Sequence, residues 1–399
     1  MIHPIVAYTK GRHFLRFLMI LFLIPLFHCE KEEPTVTGPP VIEQEFPIVY
    51  QAELPEGKMP FPHHDPVISQ QEYNSLIRNL FIINNFGLYQ CGDMENSCYF
   101  HDGLDFVLDN GTPIFALEAG TVRADMGTSP YYRTLVIEDE DEPGFGWSYT
   151  HIYHIVVDPG TAVSKGQYLG RVNFQGLDHI HLSRCKLAEG GSWRDFEDLI
   201  NIFPDDYFTF LDDTPPIIKT PFHYFRNASD SLFTSEGLVD TISGEVDIVV
   251  SMRDGGLYAG GLIGTSYWGD RLAVRDVSYR ILKDGEEILS RPSFDFAKLE
   301  FRFHRDKWKE ALTVFKHGNV LDQDAGDFNM FHSHYILTNA KENLEGMIDP
   351  QDEVLSWNTL EMDATGQALY PNGLYQIEVT AHDSKGNETV KVDEVYIEN

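Results

Sequence analysis

Apolar residues along the chain fall in short runs that are separated by Gly, Asp, Asn and Pro. Examples in the first half are "LDFVL", "TLVIED", "SYTHIYHIVV" and "QYLGRV", and examples in the second half are "GEVDIVVSM", "VSYRILKDG", "LYQIEVTAHD" and "TVKVDEVYIEN". Short apolar runs bounded by turn residues at this density are typical of antiparallel β-structure. The pattern therefore predicts a mainly β protein, with a helix at "DKWKEALTVFKHG" as an exception.

A change of pattern at "FLDDTPPIIKTP", residues 210–221, divides the chain. The run Asp-Asp-Thr-Pro-Pro is a stiff, non-helical connection, because proline and the residue before it both disfavour helix. We therefore predict one domain over 48–212 and another over 213–399. The second is too long for one sandwich of about 100 residues, so we expect an insertion around 284–358 that contains the helix. Its last segment, "NGLYQIEVTAHDSKGNET", resembles the closing strands of bacterial immunoglobulin-like domains and implies an Ig-like β-sandwich.

The N-terminus has the features of an export signal. Residues 1–28 carry three basic residues and no acid, and they contain the unbroken apolar run "FLMILFLIPLF". That run is short for a membrane span and fits the apolar core of a secretory signal. Cys29 follows, and the polar, Pro-containing segment 29–47 indicates a tether. The arrangement resembles a bacterial lipoprotein signal, which implies lipidation of Cys29 and export to the cell envelope, at the periplasmic or surface face of the outer membrane. An ordinary signal peptide or an uncleaved anchor is the alternative.

The composition restricts the partners that the protein can have. The formal net charge is −32, and 42% of the residues are hydrophobic. A chain with this share of apolar residues is globular, and its length suggests two domains or more. An acidic surface repels nucleic acid and anionic lipid headgroups. We therefore expect no nucleic-acid partner and no membrane contact beyond the lipid anchor.

The cysteines outside the export signal permit more than one pairing. Cys91 and Cys98 bracket the short loop "CGDMENSC", and Cys185 lies much further along the chain. In an oxidising compartment the first two can close a local disulfide, which leaves Cys185 unpaired. A bridge from Cys185 to either of the others is equally allowed by counting. We favour the Cys91–Cys98 pairing.

Histidines and one carboxylate recur in the first domain with spacings that suit a metal site. His101 and Asp105 lie in "FHDGLDF", His151 lies in "SYTHI", and His179 and His181 lie in "LDHIHLSRC". Residues separated by an even number share one face of a strand. Imidazole and carboxylate groups are zinc ligands, and three of them leave the fourth position open, as in catalytic sites. The H-E-x-x-H helix that supplies a glutamate base is absent from the sequence. Spare histidines can serve as the base, since their pKa lies near working pH.

The chain contains a second H-x-H pair, at His332 and His334 in "FHSHY". No H-x-x-x-D or Y-x-H segment accompanies it. An isolated H-x-H is short enough to occur by chance, so the spacing alone predicts no ligand role. We expect these two histidines to be structural.

Residues 98–185 resemble the lysostaphin/LytM-type zinc endopeptidases, which cut peptide cross-links of bacterial cell walls. The segments that carry the resemblance follow one another in the family's order: "HDGLDF" for H-x-G-x-D, "NGTPIFALEAGTVRA" for G-T-P-V-x-A-x-x-x-G-x-V, "YTHI" for Y-x-H-L, "PGTAVSKGQYLGRV" for G-x-x-V-x-x-G-Q-x-I-G-x-V, and "HIHL" for H-L-H. Each segment alone is a weak signal. Together, in this order, they are specific.

The resemblance implies a fold, a cofactor and residue roles. The fold is a small antiparallel β-sheet groove of the barrel-sandwich hybrid type. One zinc ion per chain would be held by His101, Asp105 and His181, with no other cofactor. His151 and His179 would act on the attacking water and the developing oxyanion.

The implied function is hydrolysis of peptide cross-links in cell-wall peptidoglycan. The alternative is a non-catalytic relative that binds cell-wall peptide or regulates another hydrolase, although such relatives typically lose zinc ligands. A third reading makes the C-terminal domain an adhesion or glycan-binding module. We also expect that domain to offer a surface to an envelope protein.

Overall fold

A computed structural model describes residues 82–91, 98–108, 111–127, 133–172, 179–186, 198–200, 202, 214–233, 239–255, 272–302, 307–316, 333–340 and 346–399. The export signal at 1–28, Cys29 and the tether at 29–47 lie outside the described residues, so these expectations stay predictions. Within the described residues, the helices are too short or too polar to cross a membrane.

The first half of the described chain consists of short strands. In chain order they are β1 (Ile82–Asn84), β2 (Tyr89–Cys91), β3 (Cys98–Phe100), β4 (Leu104–Val107), β5 (Pro113–Phe115), β6 (Gly120–Met126), β7 (Thr134–Asp139), β8 (Phe145–Thr150), β9 (Ile152–Tyr153), β10 (Ala162–Val163), β11 (Tyr168–Val172), β12 (His179–Lys186) and β13 (Asp198–Ile200).

The second half adds further strands and one α-helix. In chain order they are β14 (Ile217–Ile218), β15 (His223–Arg226), β16 (Asp240–Ile242), β17 (Glu245–Arg253), β18 (Asp276–Lys283), β19 (Glu286–Asp295), β20 (Leu299–Arg302), α1 (Lys307–Val314), β21 (Ser333–Ile336), β22 (Gly346–Met347), β23 (Trp357–Asn358), β24 (Gly373–His382) and β25 (Glu388–Ile397). Short 3₁₀ turns lie at Leu337–Asn339 and Pro350–Val354. The prediction of a mainly β, antiparallel fold is confirmed.

A ten-stranded sheet forms the framework of the first half. Its strands follow the order β10-β6-β7-β8-β12-β13-β20-β22, with β4 beside the first half of β12 and β1 beside β4. Neighbours are antiparallel except β20 and β22. A smaller sheet, β5-β11-β9, and the hairpin β2-β3 complete this half.

The central position of β12 explains its sequence. The strand pairs with β8 on one side and with β4 and β13 on the other. Alternate side chains of a strand point to opposite faces. Ile180 and Leu182 face the apolar core, where they are fully buried together with Leu104 on β4 and Tyr149 on β8. His179 and His181, which alternate with these residues along β12, point to the opposite face of the sheet.

The C-terminal half contains two five-stranded sheets. One has the order β14-β17-β15, with β21 and β23 also paired to β17, and the other has the order β16-β25-β24-β18-β19. Strand β24 alternates between buried and more exposed side chains along its length, which is typical of a sheet covered on one face. The immunoglobulin-like character of this half stays a prediction.

Strand pairing crosses the predicted domain boundary near residue 212. β13 pairs with β20, so the ten-stranded sheet continues into the C-terminal half. β20, α1 and β22 all lie between residues 284 and 358, where an insertion is expected. All described residues belong to one compact unit. The boundary itself stays a prediction.

Candidate functional site

Four adjacent strands align a row of polar side chains across the sheet. Asn84 on β1 lies opposite Asp105 on β4, and Asp105 lies opposite His181 on β12. On the far side of β12, His181 lies opposite Thr150 at the end of β8. Directly opposed residues in a sheet place their side chains on the same face. Residues that are far apart in sequence therefore converge on one patch of the sheet surface.

The turn before β4 brings His101 to this row. The backbone N–H of His101 donates to the carbonyl of Leu88 at 2.7 Å, and its carbonyl accepts from the N–H of Gly87 at 2.8 Å. Gly103 then allows the chain to pass against β12, because a Cβ there would lie 2.4 Å from the carbonyl oxygen of Leu182 and 2.6 Å from Oγ of Ser183. The glycine of the H-x-G-x-D segment is thus required by close approach of two backbones.

Two imidazole nitrogens and the carboxylate of Asp105 meet at the centre of the patch. Nδ1 of His181 lies 3.0 Å from Nε2 of His101 and 2.8 Å from Oδ1 of Asp105. Nε2 of His101 lies 3.1 Å from Oδ2 of Asp105. A tetrahedral zinc ion with bonds of about 2.0–2.1 Å separates its ligand atoms by about 3.3 Å. The two nitrogens and either oxygen of the Asp105 carboxylate therefore need only small adjustments to fit a zinc ion.

Contacts outside this triangle orient the two imidazole rings. Nδ1 of His101 lies 3.1 Å from the carbonyl oxygen of Asn85, which can only accept, so Nδ1 carries the proton and Nε2 presents its lone pair to the cluster. Nε2 of His181 lies 3.1 Å from Oδ1 of Asp102 and 2.9 Å from Oγ of Ser183. A proton on that nitrogen leaves Nδ1 to face the cluster. Such outer partners are the usual companions of metal-binding histidines.

The electrostatics of the patch favour a bound cation. Burial would raise the pKa of Asp105, but the charges and hydrogen bonds of His101, together with His179 and His181, hold it well below its usual value. Burial would lower the pKa of His181, but hydrogen bonds to Asp102 and Asp105 outweigh burial and raise the pKa to about 10. A buried imidazole between two carboxylates thus sits in a strongly negative potential.

Two further histidines lie beside the cluster. The rings of His151 and His179 are 4.6 Å apart between centroids, and the ring of His151 lies 6.5 Å from that of His181. Nε2 of His179 is 3.8 Å from Oδ2 of Asp105. His151 has φ 68, a left-handed conformation that is uncommon for residues other than glycine. The structure therefore brings together all five residues that the resemblance implies, and their roles stay proposals.

Three residues of this site were missed by sequence reasoning. Asn84 donates through its side-chain amide to Oδ2 of Asp105 at 2.5 Å, and Asn85 contacts His101 as described. Both lie well upstream of the first motif, so no local pattern marks them. Asp102 is different: it adjoins His101 in "HDGLD", and a carboxylate next to a candidate ligand was a usable signal.

The other predicted site residues lie elsewhere. The register of β2 and β3 sets Cys91 opposite Cys98, and opposed residues of antiparallel strands have Cα separations that a disulfide can span. The side chains of both cysteines lie outside the described residues, so the disulfide stays a prediction. Cys185 is a free, buried thiol that packs with Ala124 and Val136. Burial raises its pKa to about 12, so it remains an inert thiol.

The segment that carries this site matches a known family. Residues 99–188, from β3 to just beyond β12, match the family model of Peptidase family M23. No curated protein matches the chain.

Several solved structures are similar to part of the chain. The catalytic domain of the antimicrobial peptidase lysostaphin from Staphylococcus simulans is 23% identical, with 29% of this chain and 87% of that chain covered at a TM-score of 0.25. A zinc-containing peptidase from Vibrio cholerae is 24% identical, with 27% and 33% covered at a TM-score of 0.23. LytU is 27% identical, with 27% and 75% covered at a TM-score of 0.24. These TM-scores are low, and the family match over residues 99–188 is what identifies the domain.

Proposed function

Residues 99–188 form a domain of peptidase family M23, and from that premise we propose that the protein is a zinc-dependent endopeptidase that hydrolyses peptide cross-links of bacterial cell-wall peptidoglycan. The observation that carries the proposal is the convergence of one nitrogen each from His101 and His181 with the carboxylate of Asp105, at closest approaches of 2.8–3.1 Å and next to two more histidines.

His101, Asp105 and His181 would hold one zinc ion. Bound zinc supplies a Lewis acid that polarises a carbonyl and activates water near neutral pH. The protein supports this set from behind: Asn84 restricts the carboxylate of Asp105, and Asp102 restricts the ring of His181. Ligands whose rotation is already restricted lose little entropy on binding the metal.

His151 and His179 would perform the proton transfers. His179 shares a face of β12 with His181, and the ring centroid of His151 lies 4.6 Å from that of His179 and 6.5 Å from that of His181. Histidine can accept and return a proton at neutral pH. One of the pair would take the proton of the attacking water, and the other would hydrogen-bond the oxygen that becomes negative at the scissile carbonyl. The turn that carries His151 is anchored by its backbone N–H, which donates to the carbonyl of Arg133 at 3.0 Å.

The substrate and the location follow from the sequence resemblances. The family resemblance supports a peptide of the cell wall as substrate. The basic, apolar leader followed by Cys29 supports export and a lipid anchor in the envelope. The acidic composition suits a protein that binds neither nucleic acid nor anionic lipid. We further propose that an envelope protein contacts the C-terminal half.

The test combines metal content with peptide release. The mature chain is purified, bound zinc is measured by elemental analysis, and soluble peptides released from purified peptidoglycan are quantified. We expect one zinc per chain and measurable release, both lost in His181→Ala. The control is His154→Ala, which removes another histidine of the first half whose side chain is exposed and whose ring contacts Tyr153.

Two outcomes would count against the proposal. Absence of zinc from the wild-type chain would exclude the metallopeptidase. Zinc binding with peptidoglycan binding but no peptide release would favour the non-catalytic alternative, a cell-wall-binding or hydrolase-regulating protein.

A further inference from the structure

The segment Asn84–Asn85 contacts two of the three candidate ligands. The side-chain amide of Asn84 donates to Oδ2 of Asp105 at 2.5 Å. The backbone carbonyl of Asn85 accepts from Nδ1 of His101 at 3.1 Å. Both asparagines are buried. The position of this segment therefore determines where two ligands point.

The side chain of Asn85 is held by the C-terminal half of the protein. Its Nδ2 donates to the carbonyl of Ala273 at 2.9 Å, and its Oδ1 accepts from the N–H of Ala273 at 2.8 Å. The side-chain amide of Asn85 thus pairs with both the N–H and the carbonyl of Ala273. Asn85 is 2% exposed and Ala273 is 1% exposed. A buried amide group that loses such a partner keeps the full cost of its desolvation, so the pairing fixes Asn85 against Ala273.

Aromatic packing around this contact leaves little freedom. A Cβ at Gly87 would lie 2.9 Å from Cδ1 of Phe296, so the ring packs directly on the turn that exchanges two backbone hydrogen bonds with the segment around His101. Phe100, next to His101, has its ring centroid 6.1 Å from Phe296 and 5.5 Å from Phe315. Residues of the C-terminal half thus cover the back of the turn that presents the first ligand.

We propose that the C-terminal half positions His101 for metal binding through Asn85, which acts as a positioning residue. Ala273 fixes the amide of Asn85, the carbonyl of Asn85 fixes the protonated nitrogen of His101, and the opposite nitrogen faces the metal. This proposal rests on the proposed zinc site. It assigns to the C-terminal half a direct part in metal affinity, in addition to any surface that it offers to a partner.

The expected loss of zinc affinity can be judged from other proteins in which a hydrogen bond orients a metal-binding histidine. Loss of a hydrogen-bond partner that orients a ligating histidine typically lowers metal affinity 10–100-fold. Linkage is reciprocal, so a contact that strengthens zinc binding must itself be strengthened by zinc. Zinc is therefore expected to slow exchange of the Ala273 amide hydrogen, which bonds Oδ1 of Asn85.

The test compares Asn85→Ala with Asn339→Ala in the full mature chain. Asn339 is the matched control because it is equally buried at 2% exposed, and its amide donates to the carbonyl of Thr313 within the C-terminal half. Zinc dissociation constants are measured by competition with a chromophoric chelator, and melting temperatures are measured with and without zinc. We expect a 10–100-fold weaker zinc affinity for Asn85→Ala and a change of less than about 2-fold for Asn339→Ala, with melting temperatures lowered in both.

A second variant covers the case in which Asn85→Ala does not fold. Asn85→Asp retains the acceptor for the Ala273 N–H and replaces the donor to the Ala273 carbonyl with a carboxylate oxygen, so one of the two hydrogen bonds is kept and the other becomes repulsive. The visible absorption of the Co²⁺-substituted protein is expected to change in Asn85→Asp and to stay unchanged in Asn339→Ala, since only the former disturbs a ligand. Hydrogen exchange of peptides that contain Ala273 is measured with and without zinc in the same samples.

The outcomes separate this proposal from the proposed function. If the wild-type chain binds no zinc, the proposed function fails and this inference fails with it. If the wild-type chain binds zinc, three results each overturn the inference alone: unchanged affinity in the Asn85 variants, equal loss of affinity in Asn339→Ala, or exchange at Ala273 that is indifferent to zinc.

Discussion

The protein contains two H-x-H pairs, and their second histidines occupy opposite electrostatic environments. His181 lies on β12 in the segment that matches peptidase family M23, and His334 lies on β21 in the C-terminal half. Two carboxylates contact His181, and its pKa is raised to about 10. His334 contacts Oγ of Ser251 at 2.5 Å, and burial, with the nearby His223 and Lys219, lowers its pKa to about 4.

This difference shows that the spacing of the histidines does not determine their chemistry. Both residues are on strands, and both are largely buried. A cation is stabilised where carboxylates surround the ring and is excluded where basic groups and apolar surface do. The first environment suits a metal ion, and the second suits a neutral, buried histidine that is hydrogen-bonded to Ser251.

The largest expected effect comes from removing the negative charge of Asp105, which contacts His181 and has no counterpart among the groups that shift the pKa of His334. In Asp105→Asn, we expect loss of bound zinc and a fall of at least about 1,000-fold in kcat/KM, equivalent to about 4 kcal/mol of transition-state stabilisation. The paired variant, Ser251→Ala, removes the hydrogen-bond partner of His334 and should retain both properties. Elemental analysis measures bound zinc, and peptide-release assays measure kcat/KM. Equal loss in both variants would contradict the distinction between the sites.

The next largest effect concerns Gly103, where the chain passes close to β12 beside His181. Gly103→Ala would place a methyl group 2.4 Å from the carbonyl oxygen of Leu182, so β4 and β12 must separate. We expect the free energy of unfolding to fall by about 3 kcal/mol, within the range of overpacked sites, together with weaker zinc binding. Gly111→Ala is the control: a Cβ there would meet open space, although its φ of 87 is unfavourable for alanine, so it should lower stability by about 1–2 kcal/mol without affecting zinc. Urea unfolding with and without zinc provides the measurement.

The pH dependence of stability tests the second site. The folded-state pKa of His334 is about 4, below its ordinary value of 6.5. As the pH falls below 6.5, the unfolded chain takes up a proton on this residue and the folded protein does not, so stability is lost toward pH 4. Between pH 7 and pH 5 we expect a loss of about 2 kcal/mol from this group. Urea unfolding of wild type and His334→Gln over this range gives the contribution by difference, and parallel pH profiles for the two proteins would show the prediction to be wrong.

The smallest effect comes from the outer carboxylate of the first site. Asp102→Asn retains an oxygen that can accept from Nε2 of His181 but removes the negative charge. We expect zinc affinity to weaken about 10-fold, the lower end of the range for outer-shell partners. Asp102→Ala, which removes the acceptor as well, should weaken it further. Chelator competition ranks the three proteins, and a ranking in which the alanine variant binds as tightly as wild type would exclude a role for Asp102.

Much of the candidate site was predictable from the sequence because strand geometry is local. His179 and His181 share a face, since side chains alternate along a strand, and the glycine of "HDGLD" marks a point of close backbone approach. The short apolar runs predict the β class for the same reason. The two motifs also supply the donor types that zinc requires. Sequence by itself therefore determined the β class, the five convergent residues and the family of the domain.

Tertiary structure decided how these residues are held. Asn84 reaches Asp105 only because β1 pairs with β4, and Asn85 reaches Ala273 only because the two halves pack together. The extension of the sheet through β13 and β20 likewise joins strands about 100 residues apart in the chain. No local pattern encodes such pairings, because they depend on which distant surfaces bury one another most favourably. The same packing gave His181 and His334, alike in sequence, neighbours of opposite charge.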